Sequence, residues 1–181
     1  MRKIIPILAL FFLIIIPSST LKAQSKINIG GYIGGGFISG NLPSVGSLST
    51  SLFVEANTQS IFGFDTRLSF IFNTDFNRIF PRASFQYYPF IKGFSLKGIV
   101  YQQASNIFYI EEGIGPLVIN DRSLVELNTW NYGIVFSIAA GTNFGNPNSV
   151  LHLSAGVEYG LTFTNTDVKY SSFYVQAQIY L

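Results

Sequence analysis

The chain of 181 residues has no cysteine, one histidine, one tryptophan, and charges on only 11% of its residues. Without cysteine there is no disulfide-stapled fold, no thiolate zinc site, no cysteine nucleophile and no cysteine-anchored lipoprotein. A single histidine is too few for an imidazole metal centre, so neither a metal nor a cofactor is expected. So little charge, with 48% hydrophobic and 16% aromatic residues, excludes a disordered chain. A formal net charge of +2 is too small for an electrostatic nucleic-acid binder. Past the N-terminus no run of 18 apolar residues occurs, so no transmembrane helix is expected there.

The N-terminus reads as an export address. Arg2 and Lys3 precede an apolar run over residues 4–16, broken only by Pro6 and ended by Pro17-Ser18-Ser19-Thr20. Thirteen helical residues span about 20 Å, short of the ~30 Å hydrocarbon core, which fits the h-region of a signal peptide. Cleavage is expected after Ala23, so residues 1–23 form the signal peptide and 24–181 the mature domain. Arg2, Lys3 and Lys22 leave with the peptide, so the mature chain has eight bases against nine acids.

The mature chain alternates with a period of two, the signature of half-buried strands. Phe62, Phe64, Leu68, Phe70 and Phe72 share one face; Asp65, Arg67, Ser69, Ile71 and Asn73 share the other. The pattern recurs over 130–144, 150–163 and 173–181, and more weakly over 27–40, 52–57, 83–88 and 94–101. That makes eight strands, with no stripe of helical period.

Volume decides which face points outward. The apolar faces carry about 32 large side chains, whereas a closed core of eight strands holds about a dozen. The apolar face therefore points outward, into lipid. In a bilayer every backbone group must be paired, so the sheet must close. The expectation is an all-β, eight-stranded, antiparallel up-and-down transmembrane β-barrel. Four of its connections should be outer ones, over 41–49, 74–81, 105–129 and 164–169. The third is the longest. In it Ile107 to Ile110 and Leu117 to Ile119 flank Glu111-Glu112-Gly113-Ile114-Gly115-Pro116, which reads as a hairpin standing above the membrane. Ile107, Tyr109, Glu111, Glu112, Asp121 and Arg122 are its candidate interaction residues, because exposed strand edges can template a partner's strand.

These features resemble the small bacterial outer-membrane β-barrels of the OmpX/OmpA/OmpW type. The resemblance covers the whole mature chain. It rests on the signal peptide, the eight alternating segments and a terminal strand that is apolar at every second position. The family usually ends in Phe; this chain ends in Leu181, after Tyr180. The resemblance implies the outer membrane of a Gram-negative bacterium. It also implies outer-membrane lipid and the insertion machinery as partners, and a monomer without enzymatic activity, structural or surface-interacting. A protein partner outside the cell would engage residues 105–129.

The inward charges Glu55, Asp65, Arg67, Arg82, Lys97 and Glu158 are expected to pair as a structural network, because buried charge needs a partner. Tyr88, Tyr101, Tyr174 and Tyr180 should help fill the lumen. Aromatic girdles are expected at the two interfaces, with Tyr87, Phe90, Phe94 and Phe144 at the inner and Trp130, Tyr132, Tyr159 and Phe163 at the outer. Two alternatives stand beside this reading. His152, Ser154 and Glu158 share one strand face, and His-x-Ser with an acid resembles the catalytic set of outer-membrane lipid A deacylases, although Ala155 stands where those enzymes have Asn. The other alternative is a narrow channel for small apolar solutes.

Overall fold

The computed structural model describes residues 26–40, 43–57, 64–76, 90–105, 107–122, 128–143 and 151–180. Eight strands follow in chain order: β1 (Lys26–Ser39), β2 (Val45–Asn57), β3 (Phe64–Asp75), β4 (Phe90–Gln103), β5 (Phe108–Asp121), β6 (Thr129–Asn143), β7 (Leu151–Thr162) and β8 (Lys169–Tyr180). Each pairs antiparallel with its chain neighbour, and β8 closes onto β1. Both termini therefore lie at one end of the barrel. Strands of 12 to 15 residues, tilted by ~45°, rise about 30 Å, enough to cover a ~25 Å apolar band.

The alternation sorts side chains as volume requires. Ile29, Leu52, Phe70, Tyr132, Phe173 and Val175 are exposed on the outer surface. Asn28, Glu55, Arg67, Ser95, Lys97 and Gln178 are buried inside. An apolar exterior around a polar interior inverts a soluble protein, and lipid is the solvent that such a surface matches. Inside, small residues make room for large ones. A Cβ added at Gly30 would collide with the Phe53 ring, at Gly141 with the Tyr109 ring, and at Gly160 with the Tyr170 ring.

The expected eight strands are present, but not all where the alternation suggested. The segment 94–101 lies in β4, and the expected strand over 83–88 lies outside the described residues. The outer hairpin over 105–129 is overturned. Residues 108 to 121 form one continuous strand, β5, paired along its length with β6 and over most of it with β4. Ile110 faces Gln102 and Ala140, and Ile119 faces Gly93 and Asn131, so the two apolar segments do not pair with each other. The strand has no free edge to offer a partner. Its turn-like residues are accommodated locally. Ser95 pairs with Leu117 and the ladder resumes at Gly98 with Ile114, leaving out Gly115 and Pro116. Pro116 has no N–H to give, and at Gly115 the backbones approach so closely that a Cβ would meet the Leu96 carbonyl oxygen.

This shift also turns β4 over. Phe90 and Phe94 lie at the end away from the termini. There Phe90 packs edge-on against Phe72 and Phe94 lies beside Trp130, so they join the girdle of Trp130 and Tyr132 instead of facing it from the opposite interface.

Candidate functional site in the barrel lumen

Three levels of side chains fill the interior. Nearest the termini, Arg67 of β3 reaches across the lumen between two acids. Its Nε donates to Glu55 Oε2 at 2.7 Å, and its Nη1 bonds Glu111 Oε1. The guanidinium lies 4.2 Å from the centre of the Phe53 ring, so its face is covered as well as its edge. Glu55 also accepts from Asn28 Nδ2 at 2.9 Å and from the Tyr101 hydroxyl at 2.7 Å. Gln176 Nε2 donates to Glu111 at 3.3 Å. Arg67, Glu55 and Glu111 are each almost fully buried. Such ions are tolerable only because nearly every lone pair and N–H finds a partner.

The middle level is a second ion pair. Lys97 Nζ donates to Glu158 Oε2 at 2.6 Å, and the hydroxyls of Tyr32 and Tyr170 donate to Glu158 Oε1 at 2.7 and 2.9 Å. Tyr32 stacks on Tyr174 with centroids 4.5 Å apart.

Farther from the termini lies an apolar cluster, with buried Asn73, Asp75, Asp121 and Asn131 around it. Ile38, Ile71, Ile91, Leu117, Ile119 and Val135 form a buried cluster with Tyr170 and with Val168 of the β7–β8 connection. That connection is drawn over the mouth. Thr166 donates to Asp121 at 2.7 Å, and the Thr166 N–H donates to Asn131 Oδ1 at 3.1 Å. The turn is made by Asn165 in the left-handed region at φ 49°, a conformation that Asn tolerates better than most residues.

The expected charges separate into those the fold assembles and those it does not. Glu55 and Arg67 come together, as do Lys97 and Glu158. Asp65 is buried in the interior. Arg82, Tyr88 and the side chain of Tyr180 lie outside the described residues. Sequence reasoning missed Glu111, which it had placed in an outer loop. The signal was present, since Tyr109, Glu111 and Gly113 share one parity and Phe108, Ile110 and Ile114 the other. Of the remaining residues assigned to that hairpin, Ile107 precedes β5, Tyr109 and Asp121 are buried, Glu112 is exposed on the outer surface, and Arg122 donates its N–H to the Phe90 carbonyl at 3.2 Å.

His152 and Ser154 are buried at the end of β7 nearest the termini, and the His152 ring lies 5.7 Å from that of Tyr109. Glu158 is six residues farther along the strand, about 20 Å at ordinary strand rise. Its carboxylate is engaged by Lys97, Tyr32 and Tyr170. An acid that orients a catalytic base must sit within hydrogen-bond reach of it, so the three do not assemble a relay.

A closed, eight-stranded antiparallel barrel with an apolar exterior is the fold of the small outer-membrane β-barrel proteins, the OmpX/OmpA type. Among solved structures it is similar to Neisserial surface protein A, with a TM-score of 0.62 and 11% identity over 84% of this chain and 96% of that one. It is also similar to Ail, the attachment invasion locus protein of Yersinia pestis, solved alone and with the heparin analogue sucrose octasulfate. There the TM-scores are 0.51 and 0.52, at 13% and 12% identity, over 89% and 88% of this chain and the whole of Ail. At such identities the likeness is one of fold. No family model matches the sequence, and no curated protein matches it.

Proposed function

We propose that the chain is exported by a signal peptide cleaved after Ala23 and resides in the outer membrane of a Gram-negative bacterium. There it acts as a non-enzymatic barrel with a structural or surface-interacting role. The observation that carries this reading is the pairing of an apolar belt on every strand with a lumen closed by its own side chains. A channel needs a path; here the Arg67 and Lys97 ion pairs, with their tyrosine partners, and the apolar cluster beyond them occupy it. A lipid hydrolase needs its nucleophile at the substrate; Ser154 is inside the wall and separated from Glu158.

In this reading the termini face the periplasm, where the insertion machinery engages the chain, and the opposite end faces outward. Any surface partner meets the connections at that outer end. Between β3 and β4 lie residues 76–89, the longest stretch joining two strands there.

Membrane fractionation with N-terminal sequencing of the mature protein tests export. Purified barrel in planar bilayers should give no stepwise conductance, and vesicle lipids should not be hydrolysed, with His152→Ala indistinguishable from the parent. Stable conductance steps, or hydrolysis lost on His152→Ala, would replace this proposal with one of its two competitors. Whole-cell adhesion with and without residues 78–87 tests the surface role.

A further inference from the structure

Lys92 is exposed on the outer wall of β4, two residues from the end of the strand. At a rise of ~2.3 Å per tilted residue it stands about 5 Å below the rim, at the level of the aromatic girdle. Its neighbours across the two ladders are Phe72 and Asn120, neither of them acidic. Glu112, the acid exposed on the outer wall of β5, is eight residues along that strand from Asn120, about 26 Å at ordinary strand rise. Among the described residues no hydrogen bond or ion pair engages Lys92. Beside it runs a groove of about 660 Å³. Thr50, Phe72 and Lys92 form its row nearer the rim, and Leu52, Phe70 and Phe94 the next row inward. Trp130 of β6 also lines it, with its ring 6.5 Å from that of Phe94. The groove is thus graded along the membrane normal, with a cation at headgroup level and apolar side chains toward mid-height.

We propose that this groove holds an anionic lipid of the outer leaflet, with its phosphate on the Lys92 ammonium group and an acyl chain along Leu52, Phe70 and Phe94. The inference rests on the outer-membrane reading above and names the lipid class which that reading leaves open. Charge and depth together choose the occupant. A lysine ammonium group is a compact point charge that binds phosphate, and its stem lies along apolar surface while the head reaches the interface. A phosphate-bearing lipid presents its anion at that level and its hydrocarbon directly beneath, in the order in which the groove presents cation and apolar wall. A zwitterionic lipid brings its own ammonium group, which competes with Lys92 for the phosphate. A soluble anion would match Lys92 but leave both apolar rows uncovered.

Trp130, the only tryptophan, lines the groove and reports its occupant. The mature barrel is reconstituted into phosphatidylcholine vesicles that contain, at the same low mole fraction, either phosphatidic acid or phosphatidylcholine with brominated acyl chains, which quench indole fluorescence on contact. Brominated phosphatidic acid should quench Trp130 several-fold more than brominated phosphatidylcholine. Lys92→Gln should abolish the preference. Lys92→Arg, which keeps the charge, should retain it, as should Lys169→Gln, which removes an exposed cation across the barrel on β8. Equal quenching by the two lipids in the parent, or a preference that survives Lys92→Gln, overturns the site. So does loss of the preference on adding inorganic phosphate, which would assign Lys92 to a soluble anion. Equal and weak quenching that falls further as protein is added to the vesicles would place a second copy over the groove and also overturns the proposal. Heat-modifiable migration and co-flotation with vesicles are read on the same samples. A parent chain that does not float with the vesicles speaks against the membrane reading; one that floats without a lipid preference speaks against the site alone.

Discussion

Replacing Arg67 by Met should be the most damaging single change in the lumen. Arg67 is 1% exposed, and its guanidinium is shared between Glu55 at 0% and Glu111 at 1%. Met retains much of the side-chain volume and can still cover Phe53, so the loss is one of charge and hydrogen bonding. Removing one partner of a buried pair costs about 3–5 kcal/mol, because the other charge stays desolvated. Here two carboxylates are stranded. Glu55 keeps Asn28 and Tyr101 as donors and Glu111 keeps Gln176, which offsets part of the second loss. A value near 4 kcal/mol follows. At a urea dependence of ~2 kcal/mol/M the unfolding midpoint should fall by roughly 2 M. Trp130, the only tryptophan, stands at the barrel's outer edge and reports unfolding from lipid vesicles by fluorescence. The triple variant Glu55→Gln, Arg67→Met, Glu111→Gln should recover most of the loss, since it strands no charge. A midpoint for Arg67→Met within 0.3 M of the parent would refute the account of the lumen as an ion-paired plug. So would a triple variant no better than the single one.

Three further outcomes follow from the same geometry. Phe70→Arg, on the outer face near mid-height, should destabilise the barrel by about 2–4 kcal/mol and Ile134→Arg by a similar or smaller amount; if vesicle unfolding tolerates both, the assignment of faces is wrong. Gly141→Val drives a side chain into the Tyr109 ring and should cost about 1–3 kcal/mol by overpacking. Tyr109→Ala in the same chain should return part of that loss, and strictly additive losses in the double variant would show that the two do not share the space. Asp121→Ala removes the acceptor of Thr166 and should loosen the 163–168 connection, read as faster amide exchange at Thr166 and Val168 than in the parent; unchanged exchange there would show that the hydrogen bond does not hold the connection.

Parity was legible from the sequence. Phe70 outside and Arg67 inside, or Phe173 outside and Gln176 inside, follow from a period of two together with the volume of the apolar face. That much specifies a closed barrel with a polar lumen, because excess apolar bulk has nowhere else to go and lipid leaves no backbone group unpaired. Parity also placed Glu55, Lys97 and Glu158 on the inner face. It could not say which of them meet, because sliding a strand by two residues preserves every face and changes every partner. Arg67 meets Glu111 across 44 residues, and Lys97 meets Glu158 across 61, only because the closed ladders set one register all the way round. The identity of β5 was decided at the same level. Glu-Glu-Gly-Ile-Gly-Pro carries turn residues and two adjacent acids, and taken alone it favours a loop. It becomes strand because β4 and β6 supply partners on both sides, because Gly115 lets the β4 backbone come close, and because Arg67, two strands away on β3, neutralises Glu111.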